Sequence, residues 1–146
     1  MAPLSITSQI QINAAPEKVW EVLINLAAYG DWNSQMQVIE APESISRGSK
    51  VRLCAAPNTA AERIFDVEIT AIEIPYLLEW QGGEPDTFIG IHRFELHRVN
   101  SDKTLFKNSE MFSGAMASTI LNVSRTSLEG EFQAFNEALQ RRVELE

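Results

Sequence analysis

From Ser5 to Ile12 hydrophobic and polar side chains alternate, with Ile6, Ile10 and Ile12 on one parity and Thr7, Gln9 and Gln11 on the other. A period of two is the pattern of a strand with one buried face. The period then changes. Pro16 stands where a helix can begin at no cost, because the first helical N–H has no partner to lose. Val19, Val22, Leu23 and Leu26 follow at helical spacing beside Trp20, one amphipathic helix that Gly30 stops. Ala28 to Asn33 is predicted as a short second helical turn.

From Val38 to Gly114 the period returns to two. Strands are predicted near 36–41, 49–55, 63–73, 76–81, 88–99 and 103–113. Their breaks are Pro42 to Gly48, Pro57 to Ala61, Ile74-Pro75, Gly82 to Asp86 and Asn100 to Lys103, each rich in turn formers. Connections this short join antiparallel neighbours, since parallel strands need a long crossover. A long helix is predicted from about Ala117 to Val143, where Leu121, Leu128, Phe132, Phe135 and Leu139 are spaced by 7, 4, 3 and 4 residues. Strand, two short helices, six strands and a long helix make an α+β domain, with helices on one face of an antiparallel sheet. One domain is expected over residues 1–146, with no linker or repeat.

Alternation also assigns faces. Phe65, Val67, Ile69 and Ala71 share a parity, as do Leu78 and Trp80, then Phe88, Gly90, His92, Phe94 and Leu96, then Phe106, Asn108, Glu110 and Phe112. His92, Asn108 and Glu110 thus fall among apolar side chains, and Ser124 interrupts the helix stripe, three residues after Leu121 and four before Leu128, with Arg125 at its edge. A dry core does not readily accept ionisable groups. A cavity with a few convergent polar groups does. Pairing about the turn at Asn100 to Lys103 sets His92 directly opposite Glu110, with Cβ atoms roughly 4.5–5.5 Å apart. The competing reading makes these two residues hydrogen-bonded core or wet sheet-end groups.

Composition narrows the functions. The 146 residues carry 20 acidic against 12 basic side chains, a formal charge of −8, which argues against a phosphate-neutralising nucleic-acid binder or a polybasic membrane-surface protein. No apolar run is long enough to span a bilayer and no leader pattern opens the chain, so a cytoplasmic protein without membrane insertion is expected. The single cysteine, Cys54, allows no internal disulfide; lying opposite Val51 and Leu53 in parity, it reads as an inert, half-buried thiol. His92 and His97 are five apart on one strand and face opposite ways, so no metal site is expected from them. No nucleophile elbow, phosphate loop or metalloprotease motif is present. The Asn122-Val123-Ser124 sequon lies on a predicted helix and reads as a chance match. Trp20, Phe132 and Phe135 read as core; Tyr29 and Trp32 either pack structurally or rim a pocket mouth.

Three stretches carry a resemblance: ITSQIQINAAPEKVWEVLINLAAYGDWN from Ile6 to Asn33, FELHRVNSDKTLFKNSEMFSG from Phe94 to Gly114, and FQAFNEALQRRVE from Phe132 to Glu144. Together they resemble the polyketide cyclase/dehydrase-like branch of the SRPBCC superfamily, whose helix-grip fold is shared with START lipid-transfer and birch-pollen-allergen-like proteins. The resemblance implies a bent seven-stranded antiparallel sheet wrapped around the long C-terminal helix, two short helices after the first strand, and an elongated apolar cavity. No catalytic set is shared across that superfamily, so the site residues rest on facing alone.

Three functions follow as expectations. The first is binding of a hydrophobic, aromatic or polyketide-like small molecule, with Phe65, Trp80, Phe94, Phe106, Phe112 and Leu121 as walls and His92, Asn108, Glu110 and Ser124 fixing its orientation. The second is a cofactor-independent cyclase/dehydratase, in which Glu110 orients His92 as acid/base while Asn108 or Ser124 holds a carbonyl. The third is a protein-interaction module of the chaperone-activator type, working through the outer face of the sheet.

Overall fold

A computed structural model describes residues 4–145 of the chain. The alternating segments form one seven-stranded antiparallel sheet in the order β1-β7-β6-β5-β4-β3-β2. In chain order the elements are β1 (Ser5–Ile12), α1 (Pro16–Ile24), a single 3₁₀ turn (Leu26–Ala28), α2 (Tyr29–Trp32), β2 (Met36–Glu40), β3 (Lys50–Ala55), β4 (Arg63–Glu73), β5 (Leu77–Glu84), β6 (Phe88–Asn100), β7 (Lys103–Ser113) and α3 (Ala117–Glu144). The sheet is open, running from β1 at one edge to β2 at the other. α3 lies against β1, β7, α1 and α2. This is the helix-grip arrangement.

Local chemistry explains the ends. Pro16 occupies the first position of α1, and the Glu17 carboxylate beside it pairs with Arg98 near the end of β6. That guanidinium holds the Glu17 carboxyl below the usual carboxylate range. α3 carries Arg141 and Arg142 in its last turn, where cations suit the negative end of the helix dipole. No helix among the described residues is long and apolar enough to cross a membrane.

The first helix ends at Ile24, before Leu26, and Gly30 lies inside α2 instead of stopping α1. Two details of the strands also differ from the alternation reading. β5 runs on through Gly82 and Gly83 to Glu84, because Gly82 pairs with Gly90, Gly83 with Ile89 and Glu84 with Phe88. Gly83 takes a φ of +118° there, a conformation a side chain would resist. The second difference is a bulge in β4. Ile69 faces Trp80, but the next partner pair is Ala71 with Glu79 and then Ile72 with Leu78. The extra residue turns Ala71 away from the inner face and brings Ile72 against the core.

The buried side chains fall into two clusters. The larger joins α1, the strand centres and the end of α3 around Trp80, Phe94, Phe106, Phe135 and Leu139. The smaller gathers Ile6, Phe112, Ala117, Leu121 and Phe132. Members of both line the cavity described next.

Candidate ligand cavity and its polar end

Between the sheet and α3 lies a cavity of about 590 Å³, within the range of roughly 300–1,000 Å³ that small-molecule sites occupy. Its sheet side is built from Phe65 and Val67 on β4, Trp80 and Gly82 on β5, Gly90, His92 and Phe94 on β6, and Asn108, Glu110 and Phe112 on β7. Its helix side is built from Ser124, Leu128, Phe132 and Phe135 on α3. The space has a simple origin in the sequence. Gly82 and Gly90 face each other across β5 and β6, so one row of the inner face has no side chain on either strand. The Glu110 carboxylate fills part of that gap. A Cβ at position 90 would lie 2.3 Å from Glu110 Oε2.

The polar groups sit at one end of an aromatic chamber. The His92 ring has Phe94 at 4.6 Å, Phe132 at 4.9 Å and Trp80 at 5.6 Å between centroids. His92 is directly opposite Glu110 in the β6–β7 register. Their side chains do not hydrogen-bond, because His92 Nδ1 lies 3.6 Å from Glu110 Oε1. The imidazole bonds instead at its other nitrogen, with Nε2 2.6 Å from Asn108 Oδ1. Asn108 Nδ2 donates to Asn136 Oδ1 at 2.9 Å, and Asn136 Nδ2 donates to Ser8 Oγ at 2.9 Å and to Gln133 Oε1 at 3.2 Å. Ser8 Oγ closes the chain by donating to the Asn108 carbonyl at 2.8 Å.

Of the ten positions singled out from the sequence, eight line the cavity: Phe65, Trp80, His92, Phe94, Asn108, Glu110, Phe112 and Ser124. Phe106 and Leu121 do not, which corrects the expectation for both. Phe106 is inward as its parity requires, but it lies beneath Phe94, rings stacked at 5.8 Å, and fills the larger core cluster. Leu121 is packed with Ile6, Phe112 and Ala117, one layer behind the wall. Tyr29 is buried, donates its hydroxyl to the Leu23 carbonyl at 2.6 Å, and has its phenol pKa pushed far up by that burial. Trp32 packs edge-on against Tyr29 and Phe135 outside the main cavity. Arg125, at the stripe's edge, donates to the Ser5 carbonyl at 2.8 Å.

One further pair flanks the cavity. Arg63 at the start of β4 donates to Glu131 on α3, at 2.9 Å from Nη2 and 3.4 Å from Nη1, and both residues line the space. This bidentate contact joins the sheet to the helix beside the cavity.

A family model described as polyketide cyclase/dehydrase and lipid transport matches residues 3–144. The chain belongs to that family. Solved structures give the same fold at low identity. An aromatase/cyclase from a Streptomyces species superposes with a TM-score of 0.74 at 14% identity, covering 96% of this chain and 93% of that one. A START superfamily protein from Mycobacterium smegmatis gives 0.71 at 16% identity, covering 97% of each chain. Norcoclaurine synthase from Thalictrum flavum, solved with a transition-state analogue, gives 0.72 at 12% identity, covering 95% of this chain and 92% of that one. A search of curated proteins by sequence found no match.

For this cyclase/dehydrase-family chain, the residues that sequence reasoning missed were in part visible. Asn136 stands four after Phe132 and three before Leu139, on the same stripe that drew attention to Ser124, and Ser8 shares the parity of Ile6 and Ile10. Both are polar groups at inward positions. The Arg63–Glu131 pair had no such signal, because 68 residues separate its members.

Proposed function

We propose that this chain binds a hydrophobic, aromatic small molecule in the cavity between the sheet and α3. What supports this is the contrast within one cavity: walls of Phe65, Trp80, Phe94, Phe112, Phe132 and Phe135, and a polar end of His92, Asn108 and Glu110. Apolar walls supply affinity, and the few polar groups fix orientation. N-phenylnaphthylamine, whose fluorescence rises in apolar surroundings, serves as the probe. It should bind one per chain, and Leu128→Trp should abolish binding by filling the volume Leu128 lines. Val123→Trp, at an exposed position on the same helix, should leave binding intact. Normal binding by a folded Leu128→Trp variant would remove the cavity reading.

A second reading, acid/base cyclisation or dehydration, rests on one observation. An imidazole nitrogen and a carboxylate oxygen lie 3.6 Å apart and line the same aromatic cavity. Such a pair can carry both proton removal from a C–H beside a carbonyl and proton delivery to an oxygen. Asn108 is already bonded through both ends of its amide, so Ser124 is the better candidate to hold a carbonyl. Ligand extracted after incubation separates the readings: unchanged molecules mean binding, and a product lacking water or carrying a new ring means turnover.

A further inference from the structure

We propose that Ser8, Asn136 and Asn108 act as a positioning chain that locks His92 in the Nε2–H form, leaving Nδ1 as its one nitrogen free to exchange protons with the cavity. The inference deepens the reading above and rests on it for the ring's meeting with a ligand.

The hydrogens follow from one fixed point. A backbone carbonyl can only accept. The Asn108 carbonyl therefore takes the Ser8 hydroxyl hydrogen, and the Ser8 oxygen accepts from its other neighbour, Asn136. That makes the Asn136 group nearest Ser8 its NH₂, and the same NH₂ meets the Gln133 side-chain oxygen. The Asn136 oxygen then faces Asn108, whose NH₂ donates to it. What remains of the Asn108 amide is its oxygen, aimed at His92 Nε2, which must carry a hydrogen. No link can be reversed without setting two donors or two acceptors against each other. Asn108 and Asn136 are 1% and 0% exposed, so water does not readily replace a lost link.

The chain has a chemical consequence. Once Nε2–H is committed to Asn108, protonation and deprotonation of the ring take place at Nδ1. That nitrogen lies on the side of Glu110. A proton leaving a ligand passes to Nδ1, and the imidazolium so formed sits beside the Glu110 carboxylate. Asn136 is not among the residues that line the cavity, and its hydrogen bonds run to Asn108, Ser8 and Gln133. It works through Asn108, and its role is positional.

The test needs no ligand. Long-range proton–nitrogen NMR correlations of the labelled histidine rings report which nitrogen carries the hydrogen. His97, exposed on the outer face, is removed by His97→Gln so that one ring remains. The neutral His92 ring should show a protonated Nε2 whose hydrogen exchanges slowly with solvent. Asn136→Leu takes away the partner that orients the Asn108 amide, so a second tautomer should emerge and the slowly exchanging signal should be lost. Asn136→Asp keeps an acceptor at that place and should restore the single form. A wild-type ring protonated at Nδ1 would overturn the proposal, as would a folded Asn136→Leu variant with an unchanged His92 spectrum. If Asn136→Leu does not fold, Ser8→Ala carries the same test from the edge strand: faster exchange of the Nε2 hydrogen supports the chain, and an unchanged rate overturns it. Loss of N-phenylnaphthylamine binding would count against the ligand reading and leave the tautomer result standing.

Discussion

Gly82 and Gly90 face each other across β5 and β6, yet the two positions differ in what a methyl group would meet. At 82 the new Cβ would be 2.8 Å from Val67 Cγ1 and 2.8 Å from the Asp66 carbonyl oxygen, a backbone atom of a neighbouring strand that cannot swing aside. At 90 it would meet the end of the Glu110 side chain, which can swing into the cavity. Gly82→Ala should therefore cost ~1–3 kcal/mol, as overpacking does. Gly90→Ala should stay within about 1 kcal/mol of the parent, since removing a strand glycine is itself favourable by a similar amount. Urea midpoints compare the two, and a larger loss at 90 would mean that Glu110 is wedged in place. Cys54, which the structure buries where its parity predicts a half-buried thiol, gives a second prediction at this scale. Burial, followed by the Glu62 carboxylate 3.8 Å from the sulfur, pushes its thiol pKa up. A raised pKa means less thiolate near neutrality, and thiolate is the reactive form. Disulfide-reagent labelling should be slow in the native protein and fast in urea; rapid native labelling would show the thiol to be accessible.

On α3 the two phenylalanines three residues apart have different neighbours. Phe135 has Phe94 at 5.5 Å, Trp32 at 5.3 Å and Tyr29 at 5.9 Å, and it joins the larger core to the helix. Phe132 belongs to the smaller cluster, with the His92 ring at 4.9 Å and the cavity beside it. Phe135→Ala should cost ~3–5 kcal/mol, the usual range for a buried aromatic. Both residues line the cavity, but Phe132 has fewer aromatic neighbours to lose, so Phe132→Ala should fall at or below the lower end of that range. Denaturation of both variants checks the order, and equal losses would mean that the cavity does not relieve packing at Phe132. The Arg63–Glu131 contact also joins helix to sheet, but Arg63 is well exposed, and such pairs are worth about 0–1 kcal/mol. It stands beside the cavity, which both residues line.

For the molecule as a whole, cavity occupancy and folding are linked. A compound that binds the folded chain alone raises stability by about 2.7 kcal/mol when present at 100 times its dissociation constant. Saturating N-phenylnaphthylamine should therefore raise the unfolding midpoint, and Leu128→Trp should remove the increase. A midpoint that rises equally in both proteins would place the probe outside the cavity. The fold tolerates polar groups inside because they are paired with one another. His92, Asn108 and Asn136 are buried, yet each has a hydrogen-bond partner, so none carries the penalty of an unsatisfied polar group.

Strand alternation and turn spacing by themselves determined the seven strands, the antiparallel pairing, the inward parity of Trp80, His92, Phe94, Asn108, Glu110 and Phe112, and the His92–Glu110 register. These are local quantities: a period of two assigns faces, and a short turn sets which residues oppose. The polar positions Ser8 and Asn136 obeyed the same rules. Tertiary structure decided the rest. The bulge at Ile69 and Ala71 depends on how β4 pairs with β5, not on the composition of β4. Phe106 and Leu121 share the inward parity or stripe of their neighbours, and only packing depth places them behind the cavity wall. Opposed backbones did not make His92 and Glu110 hydrogen-bond partners: the ring bonds Asn108 through Nε2, and Nδ1 stays 3.6 Å from Glu110 Oε1. The bond to Asn108 continues through Asn136 on α3 to Ser8 on β1, contacts 28 and 128 residues apart, which exist once the helix has closed over the sheet.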